Sequence, residues 1–155
     1  MTTFKQLQEN TDIRELIHAT FDVDLPLSGG WGYTKASPMV IEALPEGMTL
    51  VQLEHMLASI RAHLEMNITQ EKTDRFAGIN ANETAREQSK DTKDLVDRVI
   101  YKITAIQETL YNTFIKEYKE GYGKEEFDLA AHFKKREEST LTRNTTHYFQ
   151  ISKLT

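Results

Sequence analysis

The stretch from Leu95 to Tyr118 constrains the fold more than any other part of the chain, because its apolar residues recur at helical spacing. These residues are Leu95, Val96, Val99, Ile100, Ile103, Ile106, Leu110, Phe114 and Tyr118. The spacing predicts one long amphipathic helix. A helix with a continuous apolar stripe must bury that stripe against a partner surface. We therefore expect a protein organised around helix packing.

A second helix is predicted to begin at Thr49, which can form a capping box with Gln52. Its apolar stripe consists of Leu50, Leu53, Leu57, Ile60 and Leu64. Because this stripe is about as long as the densest part of the first one, we expect the two helices to pack antiparallel. The segment between them, 65–94, then forms a polar tip with a turn near 77–79.

Strand patterns occur near both ends of the chain. Residues 21–25 alternate apolar and acidic side chains, and 38–42 is a second apolar run, so a hairpin is predicted with Gly29 and Gly30 at its turn. Residues 147–153 also have strand composition, and the hairpin is their simplest partner. The predicted fold class is α+β, predominantly helical, with a long antiparallel helical hairpin and a small antiparallel sheet formed by the N-terminal hairpin and C-terminal strand.

The 155 residues fit a single domain, 1–155. Within it we expect a mixed helix and strand segment at 1–47 and the helical hairpin at 48–120, with its polar tip near 65–94. A short helix, a linker and the terminal strand are expected at 121–155.

Composition argues against several functional classes. The chain has no Cys, which excludes disulfides, thiolate metal sites and a cysteine nucleophile. With 24 acidic and 19 basic residues its net charge is −5, so it has no general attraction for a phosphate backbone. Neither a signal peptide nor a segment long enough to cross a bilayer is apparent. We expect a soluble cytoplasmic protein that binds neither nucleic acid nor membranes.

The Gly-rich segment is the one place where a ligand site has a physical basis. Gly29 and Gly30 can present backbone N–H groups to an anion, and Lys35 adds positive charge. Trp31 and Tyr33 are large aromatic residues beside flexible backbone, a combination that often anchors a ligand or partner. Turn geometry and closure of a small core explain the same residues, so both interpretations stay open.

No residue pattern predicts a catalytic site, a metal site or a cofactor. Asp128 and His132 are four residues apart, which places them on one helical face, but an ordinary surface pair explains this spacing. No Ser stands in a nucleophile-elbow context. No two carboxylates can be assigned as an acid and base pair.

We therefore predict a non-enzymatic protein-interaction or assembly protein that also binds itself as a homo-oligomer. The reason is that a layer of two helices leaves part of its apolar face uncovered unless another subunit packs on it. The alternative is a small-ligand-binding or enzymatic domain with its site near the Gly-rich turn 28–35, using Trp31, Tyr33, Lys35 and His132. A third interpretation is a regulatory module that responds to an anion at this turn.

Overall fold

A central five-stranded mixed sheet organises the molecule. The structure, a computed structural model, describes residues 6–7, 11–68, 75–91, 94–125 and 127–154. In chain order its main elements are α1 (Ile13–Phe21), β1 (Leu27–Gly29), β2 (Met39–Ile41), α2 (Leu50–His63), β3 (Phe76–Asp91), β4 (Asp94–Gln107), α3 (Glu108–Gly121), α4 (Leu129–Glu138) and β5 (Leu141–Gln150). A π-helical turn, Leu64–Ile68, follows α2, and a 3₁₀ turn, Ser152–Leu154, follows β5.

The strands lie in the order β1-β2-β5-β4-β3. Only the β2 and β5 pair is parallel; the other three pairs are antiparallel. β3 and β4 form a long hairpin whose register shifts twice, between Ala77 and Asn80 and between Glu83 and Ala85. These shifts give β3 an irregular edge, and β3 is the last strand on its side of the sheet.

The predicted helical hairpin at 48–120 is wrong, because its second arm begins as a strand. Residues 94–107 form β4, and their burial follows a period of two: Val99, Tyr101, Ile103 and Ala105 are all fully buried. Tyr101 and Ala105 do not belong to the helical stripe, so only the two-residue period accounts for them. The many β-branched residues in this segment also favour a strand.

The polar tip predicted for 65–94 is wrong as well. Most of it is β3, which pairs with β4 from Phe76 to Asp91, and Gly78 lies within the strand at the first register shift rather than in a turn between helices. β3 is poor in apolar residues because it is an edge strand, and most of its described side chains are exposed.

The small antiparallel sheet is the third part of the prediction that needs correction. β5 does pair with the N-terminal hairpin through β2, but it runs parallel to β2 and joins β4 on its other side. It begins at Leu141, inside the segment expected to be a linker. The strand predicted at 21–25 is also absent from the described residues, because Asp22, with φ +56°, ends α1 in the left-handed conformation.

One apolar core joins α1, α2 and the sheet. Its largest fully buried apolar members are Trp31, Tyr101, Phe149, Ile13, Ile17, Met39, Ile41, Leu53, Leu57, Leu64 and Met66. Asp12 caps α1, and Thr49 with Gln52 forms the predicted capping box of α2. In the described part of the chain, no helix combines the length and apolar character needed to cross a membrane.

Candidate functional site

The pair formed by α3 and α4 stands at one end of the sheet. It connects β4 to β5, and these strands pair beside the connection, where Ala105 lies opposite Leu141. α3 contacts the ends of β3 and β4, and α4 packs mainly against α3. The pair is therefore anchored at the sheet end and presents its outer side to the surroundings.

The two helices and the residue directly after α3 expose large apolar side chains. Leu110, Tyr122, Leu129 and Phe133 are 41, 68, 42 and 46% exposed, and we call them the α3–α4 surface. They are four of the seven exposed large apolar residues in the part of the chain that the structure describes. The ring of Tyr118 links two of them, with its centroid 5.4 Å from that of Tyr122 and 6.1 Å from that of Phe133. A grouping of this kind is typical of an interaction surface.

His132 lies buried beneath this surface in an aromatic cluster. Its ring centroid is 5.3 to 5.9 Å from those of Phe133, Phe127, Phe114 and Tyr118. Among the described residues neither ring nitrogen has a hydrogen-bond partner, and the Oε2 atom of Glu117 is 3.6 Å from Nδ1. Asp128 does not share a site with His132, because its side chain caps α4 by accepting from the backbone N–H of Ala131.

A groove of 430 Å³ runs along the pair, next to the aromatic cluster. It is lined by Glu117, Glu120, Gly121, Lys124, Phe127 and Lys135. The ring of Phe127 packs directly on the backbone of Gly121, where a Cβ atom would lie 2.4 Å from it. Glycine is therefore required at this position by close packing, and the aromatic ring is held at the groove between two acidic and two basic side chains.

The residues of the predicted ligand site point in different directions. Gly29, with φ +79°, ends β1 and lines a cavity of 440 Å³ together with Ser28 and the first turn of α1. The backbone N–H of Gly30 donates to the carbonyl of Pro38. Trp31 is fully buried in the core, Tyr33 is half-buried and Lys35 is exposed. Ligand binding at this segment stays a prediction, and the cavity beside Gly29 is the place to test it.

Tyr33 belongs to a buried polar network that the sequence patterns did not indicate. Its hydroxyl donates to Oε2 of Glu65 over 2.6 Å and accepts from the backbone N–H of Leu7. Arg143 donates to the other oxygen of Glu65, also over 2.6 Å. Burial and the neighbouring Glu65 charge raise the pKa of Tyr33 far above its ordinary value. The hydroxyl is therefore protonated and serves as a hydrogen-bond donor.

Arg61 completes this network from α2. Its guanidinium lies 4.5 Å from the centroid of the Tyr33 ring and donates to the carbonyls of Trp31 and Thr146 and to the hydroxyl of Thr145. These bonds tie α2 to β5 and to the Gly-rich segment. The cluster is a closed structural network, because the polar atoms of Arg61 are directed at groups of the protein itself.

A second buried cluster holds more acid than base. Glu54 of α2 and Asp97 of β4 are both buried, and Arg86 from β3 donates to both carboxylates. The same guanidinium also donates to Glu83. Desolvation and the nearby Asp97 raise the pKa of Glu54 to about 8, so the acid pair holds a proton at neutral pH.

The described residues contain no group of three or more His, Asp or Glu side chains arranged to hold a metal ion. Comparison with known proteins finds no matching family model, no similar curated protein and no similar solved structure. The function is therefore argued from the surfaces and side chains of this chain.

Proposed function

We propose that the protein is a protein-interaction module that binds its partner through the α3–α4 surface. The observation that carries this proposal is that four of the seven exposed large apolar residues described lie on α3 and α4 or, for Tyr122, directly after α3, and that Tyr118 links Tyr122 with Phe133. Tyrosine and phenylalanine at such a surface supply large contact area with few rotatable bonds, which is why aromatic residues dominate binding energy at protein interfaces.

The buried His132 supports the same proposal. A buried polar group without a hydrogen-bond partner costs roughly 1–3 kcal/mol. Arg61 makes its hydrogen bonds within the chain. His132, in contrast, has no hydrogen-bond partner among the described residues and lies in a helix pair that exposes large apolar side chains. The carboxylate of Glu117, 3.6 Å from Nδ1 of His132, is about half exposed, so a partner that covers this face would also cover Glu117 beside His132.

Site-specific photo-crosslinking in the producing cells tests the proposal. A photoreactive aromatic amino acid at position 122 is expected to crosslink to protein, and Phe133→Ser in the same chain is expected to remove most of that crosslink. Val51, which is also exposed but lies on α2, is the matched control position. Equal crosslinking from the two positions, or crosslinking that is insensitive to Phe133→Ser, would contradict the proposal.

A further inference from the structure

We propose that a proton shared by Glu54 and Asp97 keeps the start of α2 closed on the edge strand β3, and that loss of this proton opens that contact while the rest of the molecule stays folded. This part of the molecule is separate from the α3–α4 surface. The distances within the buried acid cluster and the unequal support of the elements around it carry the proposal.

Glu54 and Asp97 are too close together and too deeply buried to be ionised together without a large cost. They are 0 and 1% exposed. The Nη1 atom of Arg86 lies 2.7 Å from Oε1 of Glu54 and 3.3 Å from Oδ2 of Asp97, so these two oxygens are at most about 6 Å apart. Two carboxylates at this separation, away from water, favour a state in which one of them holds a proton. Desolvation and Asp97 raise the pKa of Glu54 to about 8, so this proton is lost under mildly alkaline conditions.

The positive charge of Arg86 does not replace the proton, because three carboxylates share it. Besides Glu54 and Asp97, the guanidinium donates to Glu83 through Nε and Nη2, over 3.2 and 2.6 Å. The second oxygen of Glu54 is buried and has no hydrogen-bond partner among the described residues. Loss of the proton therefore leaves a negative charge in the cluster that the shared guanidinium does not neutralise.

The other polar side chains around the two acids do not bind this charge. Tyr101 of β4 is fully buried, and burial together with the charge of Glu54 raises the pKa of its hydroxyl, which stays protonated and makes no hydrogen bond within the described residues. Gln88 of β3 donates a neutral N–H to Asp97. His55 of α2 stacks on the ring of Tyr101 and uses Nε2 for a hydrogen bond with the backbone carbonyl of Ala81. The ionised acids therefore need water.

The elements that meet at the acids differ in how firmly they are held. The strand β4, which carries Asp97, is hydrogen-bonded to a strand on each side. The strand β3 has a neighbour on one side only, and its register shifts between Glu83 and Ala85, next to Arg86. A cavity of 290 Å³ lies beside this shift, between the first turns of α2 and residues 81–83 of β3. Water can reach the acids from this cavity when α2 and β3 separate.

The far end of α2 is held by bonds that do not depend on these acids. Arg61 donates to the carbonyls of Trp31 and Thr146 and to the hydroxyl of Thr145. These three acceptors do not titrate. Loss of the proton is therefore expected to open the start of α2 and to leave its end on the sheet.

Thiol labelling with a maleimide tests this proposal, because the chain has no cysteine of its own. Ala81→Cys places a thiol at a buried position where β3 meets α2, and Asn82→Cys places one at the exposed neighbouring position. The ratio of the two labelling rates reports how often the contact is open, since it cancels the effect of pH on the thiol itself. Between pH 6.5 and 9.0 this ratio is expected to rise about tenfold or more.

Variants of the acids show whether their proton causes the rise. Glu54→Gln and Asp97→Asn should each remove most of it in the Ala81→Cys chain, because only one carboxylate of the pair then remains. Glu46→Gln, at an exposed acid, is the control and should keep the rise. If one acid variant fails to fold at pH 6.5, the other still gives the test.

Two measurements separate local opening from unfolding of the whole chain. Ala62→Cys places a thiol at a buried position near the far end of α2, and it should react at least about tenfold more slowly than Ala81→Cys at pH 9.0. The emission of Trp31, the single tryptophan and a fully buried residue, should be unchanged at this pH.

A labelling ratio that does not rise with pH would overturn the proposal. A rise that persists in both acid variants would do the same, because another group would then control the opening. Equal labelling at positions 81 and 62, or a red shift of the Trp31 emission at pH 9.0, would mean that the chain unfolds as a whole and would also overturn it.

Discussion

The helix α2 and the α3–α4 pair differ in the kinds of side chain that they bury and expose. α2 and the π-helical turn after it direct Glu54, Arg61 and Glu65 inward, and each of these charged side chains has a hydrogen-bond partner on the sheet or on the Gly-rich segment. The α3–α4 pair instead directs large apolar side chains outward. The comparison shows that α2 is completed by its own chain, whereas the outer face of α3 and α4 is available to another one.

The difference follows from what each region has beside it. α2 crosses the sheet and meets side chains from three strands, including Arg86 of β3, Tyr101 of β4 and Thr145 of β5. α3 and α4 have each other and the ends of two strands. Two helices without a covering layer cannot bury all of their apolar residues. Four predictions test this contrast.

The largest effect is expected for Arg61→Met. This change removes three hydrogen bonds, including the buried one to the carbonyl of Trp31, so the free energy of unfolding should fall by about 3–5 kcal/mol. Urea denaturation measures it. The control Arg98→Met removes an exposed ion pair with Glu87 and should cost less than about 1 kcal/mol. Similar losses in the two variants would mean that the hydrogen bonds of Arg61 do not hold α2 on the sheet.

Truncating buried aliphatic residues should come next. Leu57 on α2 and Ile103 on β4 are both fully buried, and Leu57→Ala and Ile103→Ala should each cost about 2–5 kcal/mol. Leu129→Ala on the α3–α4 surface should cost less than about 1 kcal/mol. Chemical denaturation of the three variants compares the two regions directly. A loss at Leu129 as large as that at Leu57 would show that the outer face is covered within the chain.

The buried acids Glu54 and Asp97 should make the free energy of unfolding depend on pH. Folding raises the pKa of Glu54 from its ordinary 4.5 to about 8, so the folded state binds the proton more tightly. Its contribution is complete below pH 4.5 and is lost as pH rises to about 8. Burial lowers the pKa of His147 well below 6.5, so its contribution is complete above pH 6.5 and is lost as pH falls. Stability should therefore decline on both sides of a maximum.

Measurements above pH 6.5 test the contribution of Glu54 separately from that of His147. Between pH 6.5 and 8.5 the wild-type free energy of unfolding should fall by an amount on the order of 2 kcal/mol. Glu54→Gln should flatten this decline, because the amide accepts from Arg86 and donates to Asp97 without titrating. Glu46→Gln, at an exposed acid, is the control and should keep the wild-type slope. An equally steep decline in the Glu54 variant would mean that another group loses the proton.

Signals that act over a few residues predicted local structure well. The capping box at Thr49 marks the first turn of α2, because it depends only on side chains and N–H groups that lie three residues apart. The strand β2 falls inside the apolar run 38–42 for the same reason.

The change from β4 to α3 has no such local signal. Gln107 stands at the N-cap position of α3 and makes no capping hydrogen bond with its side chain, so nothing in the sequence separates strand from helix. The apolar residues before it suit a strand, and Leu110, Phe114 and Tyr118 after it suit a helix. Read together they resemble one long stripe, which is why the helical interpretation extended back to Leu95.

The sequence did not predict the buried polar clusters, and the reason here is different. Glu54, Arg86 and Asp97 come from α2, β3 and β4, and only the register of the sheet brings them together. In a helical interpretation of 95–118, Asp97 is an ordinary surface acid. The groove between α3 and α4 depends likewise on how two helices pack, which spacing within one helix does not specify.

The smallest effect on the isolated chain is expected for Tyr122→Ser. At a concentration where the chain is monomeric, this change should alter the free energy of unfolding by less than about 0.5 kcal/mol, because the side chain is mostly exposed and contacts chiefly the ring of Tyr118. If this surface also binds a second copy, as the predicted homo-oligomer requires, the melting temperature of the wild-type chain should rise with concentration, because association stabilises only the folded state. The Tyr122 variant should show no such rise. A melting temperature that is independent of concentration in both chains would show that the α3–α4 surface does not bind a second copy.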